Sequence, residues 1–252
     1  MSIRASASAR KITPENPTPL AGHYGCKRLS TGVRDDLYAS AVHLRAGRGG
    51  LIFVSLDLHS LDPATIERMK QGIKEATGTP EKNVFIGSTQ THSAPATNEA
   101  LYYLTDSSYA YPDQEYIDFT VAETIQAAAE SAVSSRPASV ATFSLEPPGS
   151  GALLVKDTLT SRIIAAIIVH SRIPNRLGPE NTLVSADFIG PMRERLGKRF
   201  GGNPVVVFFT APSEENRASR PATDQGEEQS VLTGHEIANT IVEKVRNMAI
   251  RD

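Results

Sequence analysis

The chain has 252 residues, and its 26 basic against 28 acidic side chains leave a formal net charge of −2. So weak a field argues against a protein held to nucleic acid or a membrane surface by bulk electrostatics. One cysteine, Cys26, excludes an intrachain disulfide framework and any multi-cysteine metal site.

With 40% hydrophobic residues, a chain of this size can bury roughly three quarters of its unfolded surface. No window approaches the ~18 consecutive apolar residues of a membrane span. Residues 1–19 are polar and proline-bearing, with no apolar stretch behind their arginines. The expectation is a soluble, cytoplasmic protein with no membrane span and no nucleic-acid partner.

In chain order, Ala39 to Arg45 alternates loosely and Leu51 to Leu56 is continuously apolar. Both read as strands, the second buried on both faces. Asp62-Pro63 opens a helix to about Glu75, with aspartate as N-cap and proline at the first helical position. Thr77-Gly78-Thr79-Pro80 stops it, and Asn83 to Gly87 is the next apolar run. A long loop leads to a helix over Asp113 to Ser135, ended by Arg136-Pro137. Ala138 to Leu145 and Arg162 to Val169 read as strands and Asp187 to Arg199 as a helix. Pro204 to Phe209 is a buried strand, and Glu227 to Arg246 a closing helix.

These elements predict a single layered α/β domain over residues 1–252, a mixed or parallel sheet with outer helices. Halves at about 29–135 and 136–250 each read strand, strand, helix, strand, helix. That order suggests an internal pseudo-repeat, although alternating strands and helices are common without one. Right-handed crossovers would place functional loops at the strands' C-terminal ends. Those loops carry Asp57 and His59, then Gln90, His92 and Ser93, then His170, then Ser213, Glu214 and Glu215.

The segment Ser88-Thr89-Gln90-Thr91-His92-Ser93-Ala94-Pro95 leaves a strand with a polar cluster and a proline. If extended, it would aim Gln90 and His92 to one side. It resembles the Thr-His-Thr-His-Ser-Gly-Pro signature of the neutral/alkaline non-lysosomal ceramidase family, in that family's N-terminal catalytic region. Lys11-Ile12-Thr13-Pro14 with Ala21-Gly22 resembles the family's opening, and Val54-Ser55-Leu56-Asp57 its first buried strand. Val169-His170 and Val184-Ser185-Ala186-Asp187-Phe188-Ile189-Gly190 resemble its second histidine and its Ser-Ala-Asp helix start.

The resemblance implies a hydrolase acting on an amide, with zinc held by two histidines, a glutamate and a tyrosine and supplying an activated water. Carried over by position, the first zinc histidine is Gln90, the substrate-side histidine is His92, and the other zinc histidine is His170. The glutamate and tyrosine find no counterpart. The family's Gly-Asp-x-Ser-Pro turn falls near Ser213-Glu214-Glu215-Asn216-Arg217, where the pattern is broken. The metal site is therefore expected to be degenerate and no cofactor is expected, with a fallback zinc site conceivable from Asp57, His59 and His92.

The candidate catalytic residues are His92, Ser93 and Asp57. The candidate substrate contacts are Gln90, Arg172, Tyr102 and Tyr103, and the candidate metal ligand is His170. Each has a plainer reading. His170 can be a hydrogen-bonded strand-end histidine, Asp57 a turn cap, Ser185 and Asp187 helix caps, and Arg172 and Arg176 solvated loop arginines. His23 can be a loop residue and nothing more. The stretch from Ser93 to Pro112 with Tyr102, Tyr103, Tyr109, Tyr111 and Tyr116 fits a lid, a homo-oligomer interface, or rings that pin the loop. Three functions remain open: a hydrolase with altered chemistry, a silent small-molecule-binding protein, and an assembly subunit.

Overall fold

The computed structural model describes residues 2–23, 26–47, 49–98, 112–212 and 226–249. The strands are β1 (Ile3–Lys11), β2 (Gly32–Val33), β3 (Tyr38–Ala46), β4 (Gly49–Leu56), β5 (Val84–Ser88), β6 (Arg136–Leu145), β7 (Ser150–Asp157), β8 (Ile163–His170), β9 (Leu183–Val184) and β10 (Val205–Thr210). The helices are α1 (Pro63–Thr77), α2 (Gln114–Val133), α3 (Ile189–Phe200) and α4 (Gly226–Ala249). Eight strands form one mixed sheet in the order β10-β8-β7-β6-β1-β3-β4-β5, and β2 and β9 form a short parallel pair.

The centre of this sheet is β1, which falls in the segment that reads from sequence as polar and irregular. Its even-numbered side chains are polar because they meet a helix through hydrogen bonds. Ser8 Oγ donates to Glu130 at 2.6 Å, and Arg10 pairs with Glu123 at 2.6 Å and Glu130 at 3.1 Å, all on α2. The opposite face, with Ile3, Ala5 and Ala7, is apolar and small. Strand β7 was also not anticipated. Its Ala152 and Leu154 join one core cluster and Leu153 and Val155 the other, so it shows no alternation.

Outward from the β1–β6 junction, each side of the sheet runs antiparallel, antiparallel, then parallel. Each side is strand, strand, strand, helix, strand, helix, and the first begins at Ile3. The pseudo-repeat of five-element halves from about 29 is not confirmed, because β1 and β7 add a strand to each side. The correspondence is one of order and direction, without a shared residue pattern.

The sheet curls back so that β10, at one end, lies against β3, β4 and β5 at the other. The free edge of β10 donates Phe208 N–H to Ser55 Oγ on β4 at 3.0 Å. Small and β-branched side chains fill the space between the layers, among them Ala5, Val42, Ala138, Ala165 and Val207. Helices α1 and α2 pack together outside one half, and α3 and α4 pack together outside the other.

Caps fix the helix starts as the sequence implies. Asp62 accepts from Thr65 N–H at 2.9 Å, and Asp113 from Glu115 N–H at 2.9 Å. Tyr116 is a core anchor, buried with its hydroxyl donating to Ile12 O at 2.8 Å, so this ring pins the chain rather than lining a lid. Tyr102, Tyr103, Tyr109 and Tyr111 lie outside the described residues.

Helix α4 approaches α3 at Gly234, where a Cβ would lie 2.4 Å from Phe188 O and 2.8 Å from Met192 N. Both are backbone atoms that cannot swing away. Gly72 on α1 faces only the flexible end of Ile125. We predict that Gly234→Ala lowers unfolding free energy by about 1–3 kcal/mol despite alanine's better helix propensity, and that Gly72→Ala costs clearly less. Chemical denaturation of both variants checks this, and equal effects would refute the backbone-contact argument.

Candidate functional site

The parallel β4–β5 ladder pairs Leu56 with Ser88, so the loops after both strands leave the sheet side by side. Thr89 N–H donates to Leu56 O at 2.8 Å and Gln90 N–H to Leu58 O at 3.0 Å, tying one loop to the other. Gln90 itself has φ 65, a left-handed conformation uncommon for a side chain of this kind. Residues 90–92 are therefore not extended, and the alternation that would aim Gln90 and His92 to one side does not apply. Gln90 is exposed, whereas His92 is half-buried.

His92 sits edge-on to two other imidazoles. Ring centroids are 4.9 Å from His59 and 5.2 Å from His23. Its N–H donates to Pro174 O at 3.0 Å, while His23 Nε2–H donates to Leu177 O at 3.2 Å. The cluster requires glycine at 22. There φ is +101, and a Cβ would lie 2.5 Å from His92 Cγ. His92 Nδ1 is buried with no hydrogen-bond partner. Burial, then the neighbouring imidazoles and Arg28, push His92 down to about 3; burial, then His23 and Arg28, push His59 down to about 4. His23 is lowered by the same causes, burial first. All three are neutral at pH 7.

Arg28, which no sequence pattern singled out, lies beside them. Its guanidinium donates to the backbone carbonyls of Ala21 at 2.6 Å, His92 at 2.7 Å and Asn181 at 3.0 Å. His23 was expected to be a plain loop residue. Its signal was the adjacent Gly22, whose need for positive φ shows only in three dimensions.

The other candidates are committed to internal partners. Asp57 is fully buried and forms a two-pronged ion pair with Arg193 of α3, at 2.5 and 2.8 Å, and accepts Tyr38 N–H at 2.9 Å. Arg193 also lies 5.5 Å above the Tyr38 ring. Both Asp57 oxygens are thus occupied, and the turn-cap reading is replaced by a long-range brace. The fallback zinc site is not assembled, because among the described residues no three His, Cys, Asp or Glu side chains converge to hold a metal.

His170 is 2% exposed. Its Nδ1 accepts Arg172 N–H at 3.0 Å, which engages one ring nitrogen in the protein's own bonding. Ser93 is fully buried with its Oγ accepting from Asn181 at 3.0 Å, and it makes no described hydrogen bond to a histidine. Arg172 forms a two-pronged pair with Glu236 on α4, at 2.7 and 3.2 Å.

Ser185 and Asp187 organise the start of α3 without capping it in the usual way. The N-cap, Phe188, has no side-chain cap, and Asp35 instead holds the turn before it, accepting Ala186 N–H at 2.8 Å and bonding the Ser185 hydroxyl. Asp187, at φ 54, holds Leu177 N–H at 2.9 Å and Phe188 N–H at 2.6 Å. An open apolar cleft of about 300 Å³ lies at the far end of β4, lined by Ile3, Leu44, Leu51 and Val140; it contains no histidine or carboxylate.

No family model matches the chain, and no curated protein does. Solved structures do. The crystal structure of neutral ceramidase from Pseudomonas aeruginosa superposes with a TM-score of 0.78 at 16% identity, covering 95% of this chain and 44% of that one. A ceramidase complexed with C2 gives 0.76 at 17% identity, with the same coverages. The chain thus has a ceramidase-like α/β fold and spans less than half the length of those proteins. The zinc that the resemblance implies does not fit the described donors. Gln90 offers a neutral amide in a ligand position, and among the described residues no three His, Cys, Asp or Glu side chains converge around His170.

Two predictions follow from these partners. Removing one half of the buried pair, by Asp57→Asn or Arg193→Met, strands the other and should cost about 3–5 kcal/mol in urea denaturation. A loss below about 1 kcal/mol in both would show that the pair is not a brace. The second concerns acid. Besides His23, His59 and His92, the imidazoles of His43 and His170 are pushed down to about 4, mainly by burial. An unfolded chain with histidines near 6.5 then binds more protons than the folded one, so stability falls as pH drops from 6.5 towards 4. Asp35 is raised and Asp187 is raised to about 6, mainly by burial, which opposes this. Five imidazoles outweigh two carboxyls, and a urea midpoint that rises on acidification from pH 6.5 would contradict the assignment.

Proposed function

We propose that this chain binds a small amide-type molecule at the loops following β4 and β5, with His92 as the principal ligand contact. The observation that carries the reading is the buried, unpartnered Nδ1 of a neutral His92 held between His23 and His59. Buried polar atoms in folded proteins nearly always have partners, and one left open beside a loop cluster is what a ligand group satisfies. A neutral imidazole presents one donor and one acceptor, complementary to an amide's carbonyl and N–H. Asp57, through Arg193, serves as a positioning residue for the β4 loop, and Ser93 holds the β5 loop against Asn181. Gln90, exposed on the same loop, is placed at its outer side.

A second reading, hydrolysis of the bound amide, is favoured by the fold shared with neutral ceramidase and by the strained backbone at Gln90. In it His92 would exchange a proton with the attacking water or the leaving amine. Its low proton affinity makes it a weak base, so turnover would be slow.

Short N-acyl amides, screened by thermal shift and recovered for mass spectrometry, test both readings. At a hundred times its Kd, a ligand stabilises by about 2.7 kcal/mol, or about 5–10 °C for a chain of this size. The shift should vanish in His92→Gln and persist in His170→Gln. A shift unchanged in His92→Gln would place the ligand elsewhere. Recovery of cleaved amide, absent with His92→Gln, would establish the hydrolase reading.

A further inference from the structure

Arg28 is 6% exposed and, among the described residues, carries its charge into the same loop cluster without an ion-pair partner. Its terminal nitrogens reach three backbone carbonyls, and its Nε–H has no partner. Among the described residues the one acidic-type group acting on it is the exposed thiol of Cys26. The groups acting on His59 and His92 are cationic or imidazole throughout, with Arg28 among them. Two other charged groups among the described residues are matched. Arg193 has Asp57, and Asp35 has Ser185, Ala186 N–H and Arg34 nearby.

A guanidinium taken out of water loses several kcal/mol of hydration, and carbonyl dipoles return part of it but not the charge balance. Carbonyl oxygens accept from its terminal nitrogens but leave Nε–H open and the field of a full positive unit in a poorly hydrated interior. That field acts on whatever enters beside His92, which itself presents an open ring nitrogen.

We infer that the cluster of Arg28, His23, His59 and His92 is a binding site for a single carboxylate group, the acid end of a small acyl molecule. One carboxylate oxygen accepts from Arg28 Nε–H and the other from a histidine ring N–H. The imidazoles are uncharged at pH 7, so the site offers one positive unit, which matches a carboxylate and not a phosphate dianion. This rests on the same pocket as the amide reading but asks more of it, namely charge selectivity set by Arg28. Arginine suits the task because it stays protonated when buried, where a lysine would shed its proton.

The test compares octanoate, octanamide and inorganic phosphate on the full chain, by thermal shift and by histidine ring 13C–1H spectra. Octanoate is expected to raise Tm, to perturb the ring signals of His59 and His92, and to lose at least tenfold in affinity between 20 and 300 mM salt or in Arg28→Gln. If Arg28→Gln does not fold, Arg28→Lys and the ring spectra of the native chain carry the decision. Octanamide binding without octanoate binding overturns the carboxylate inference and leaves the amide reading standing. Octanoate binding without octanamide binding does the reverse. Phosphate binding tighter than octanoate, or octanoate affinity unchanged in folded Arg28→Gln, also overturns the inference.

Discussion

The ion pair between Asp57 and Arg193 joins parts of the chain 136 residues apart. Asp57 ends the first buried strand of one half, Arg193 belongs to the helix that precedes the last strand of the other, and Tyr38 N–H closes the third side of the carboxylate. The sheet curls until β10 meets β3, β4 and β5, and the pair pins that curl at the end of the sheet where the loops gather. Among the described residues neither charge has another ion-pair partner. The pair therefore fixes where the β4 loop emerges, and the β5 loop is hydrogen-bonded to it through Thr89 and Gln90. The histidine cluster inherits its geometry from this brace, although Asp57 itself touches none of the three rings in the described contacts.

A second constraint acts on top of it. Gly22 must be glycine for His92 to lie where it does, and Arg28 clamps Ala21, His92 and Asn181 through their carbonyls. Three segments distant in sequence are held by one guanidinium. The carbonyl ligation explains why Arg28 tolerates burial, and the unpartnered Nε explains why its charge remains available. Rigid placement of a polar group with an open valence is the physical requirement for recognising a small molecule without large motion.

Much of the fold was legible because it rests on local rules. Asp62-Pro63 and Gly78 delimit α1, and apolar runs mark β4, β5, β8 and β10. What escaped was non-local. Strand β1 looked irregular because its outer side chains are matched to Glu123 and Glu130 of a helix more than a hundred residues away. The site was legible only in part, for the same reason. The motif around His92 marked the right loop, but Arg28 and Arg193 have no local signature, since each is defined by what it meets across the fold. His23 has a neighbour, Gly22, whose significance depends on a ring seventy residues downstream.

The polar residues that the resemblance would have made metal ligands have been drawn into the protein's own hydrogen bonding. His170 accepts one backbone amide, and Gln90 turns outward in a left-handed bend. A histidine that accepts a backbone amide contributes to the fold whether or not an ion is nearby, and its removal would leave Arg172 N–H unpaired. His92 Nδ1 is buried and open, as is His43 Nδ1 on β3, but His92 alone of these two packs edge-on to His23 and His59 in the described contacts. The company around that nitrogen, two neutral imidazoles and the Arg28 guanidinium bonded to the His92 carbonyl, is what the proposed ligand role rests on.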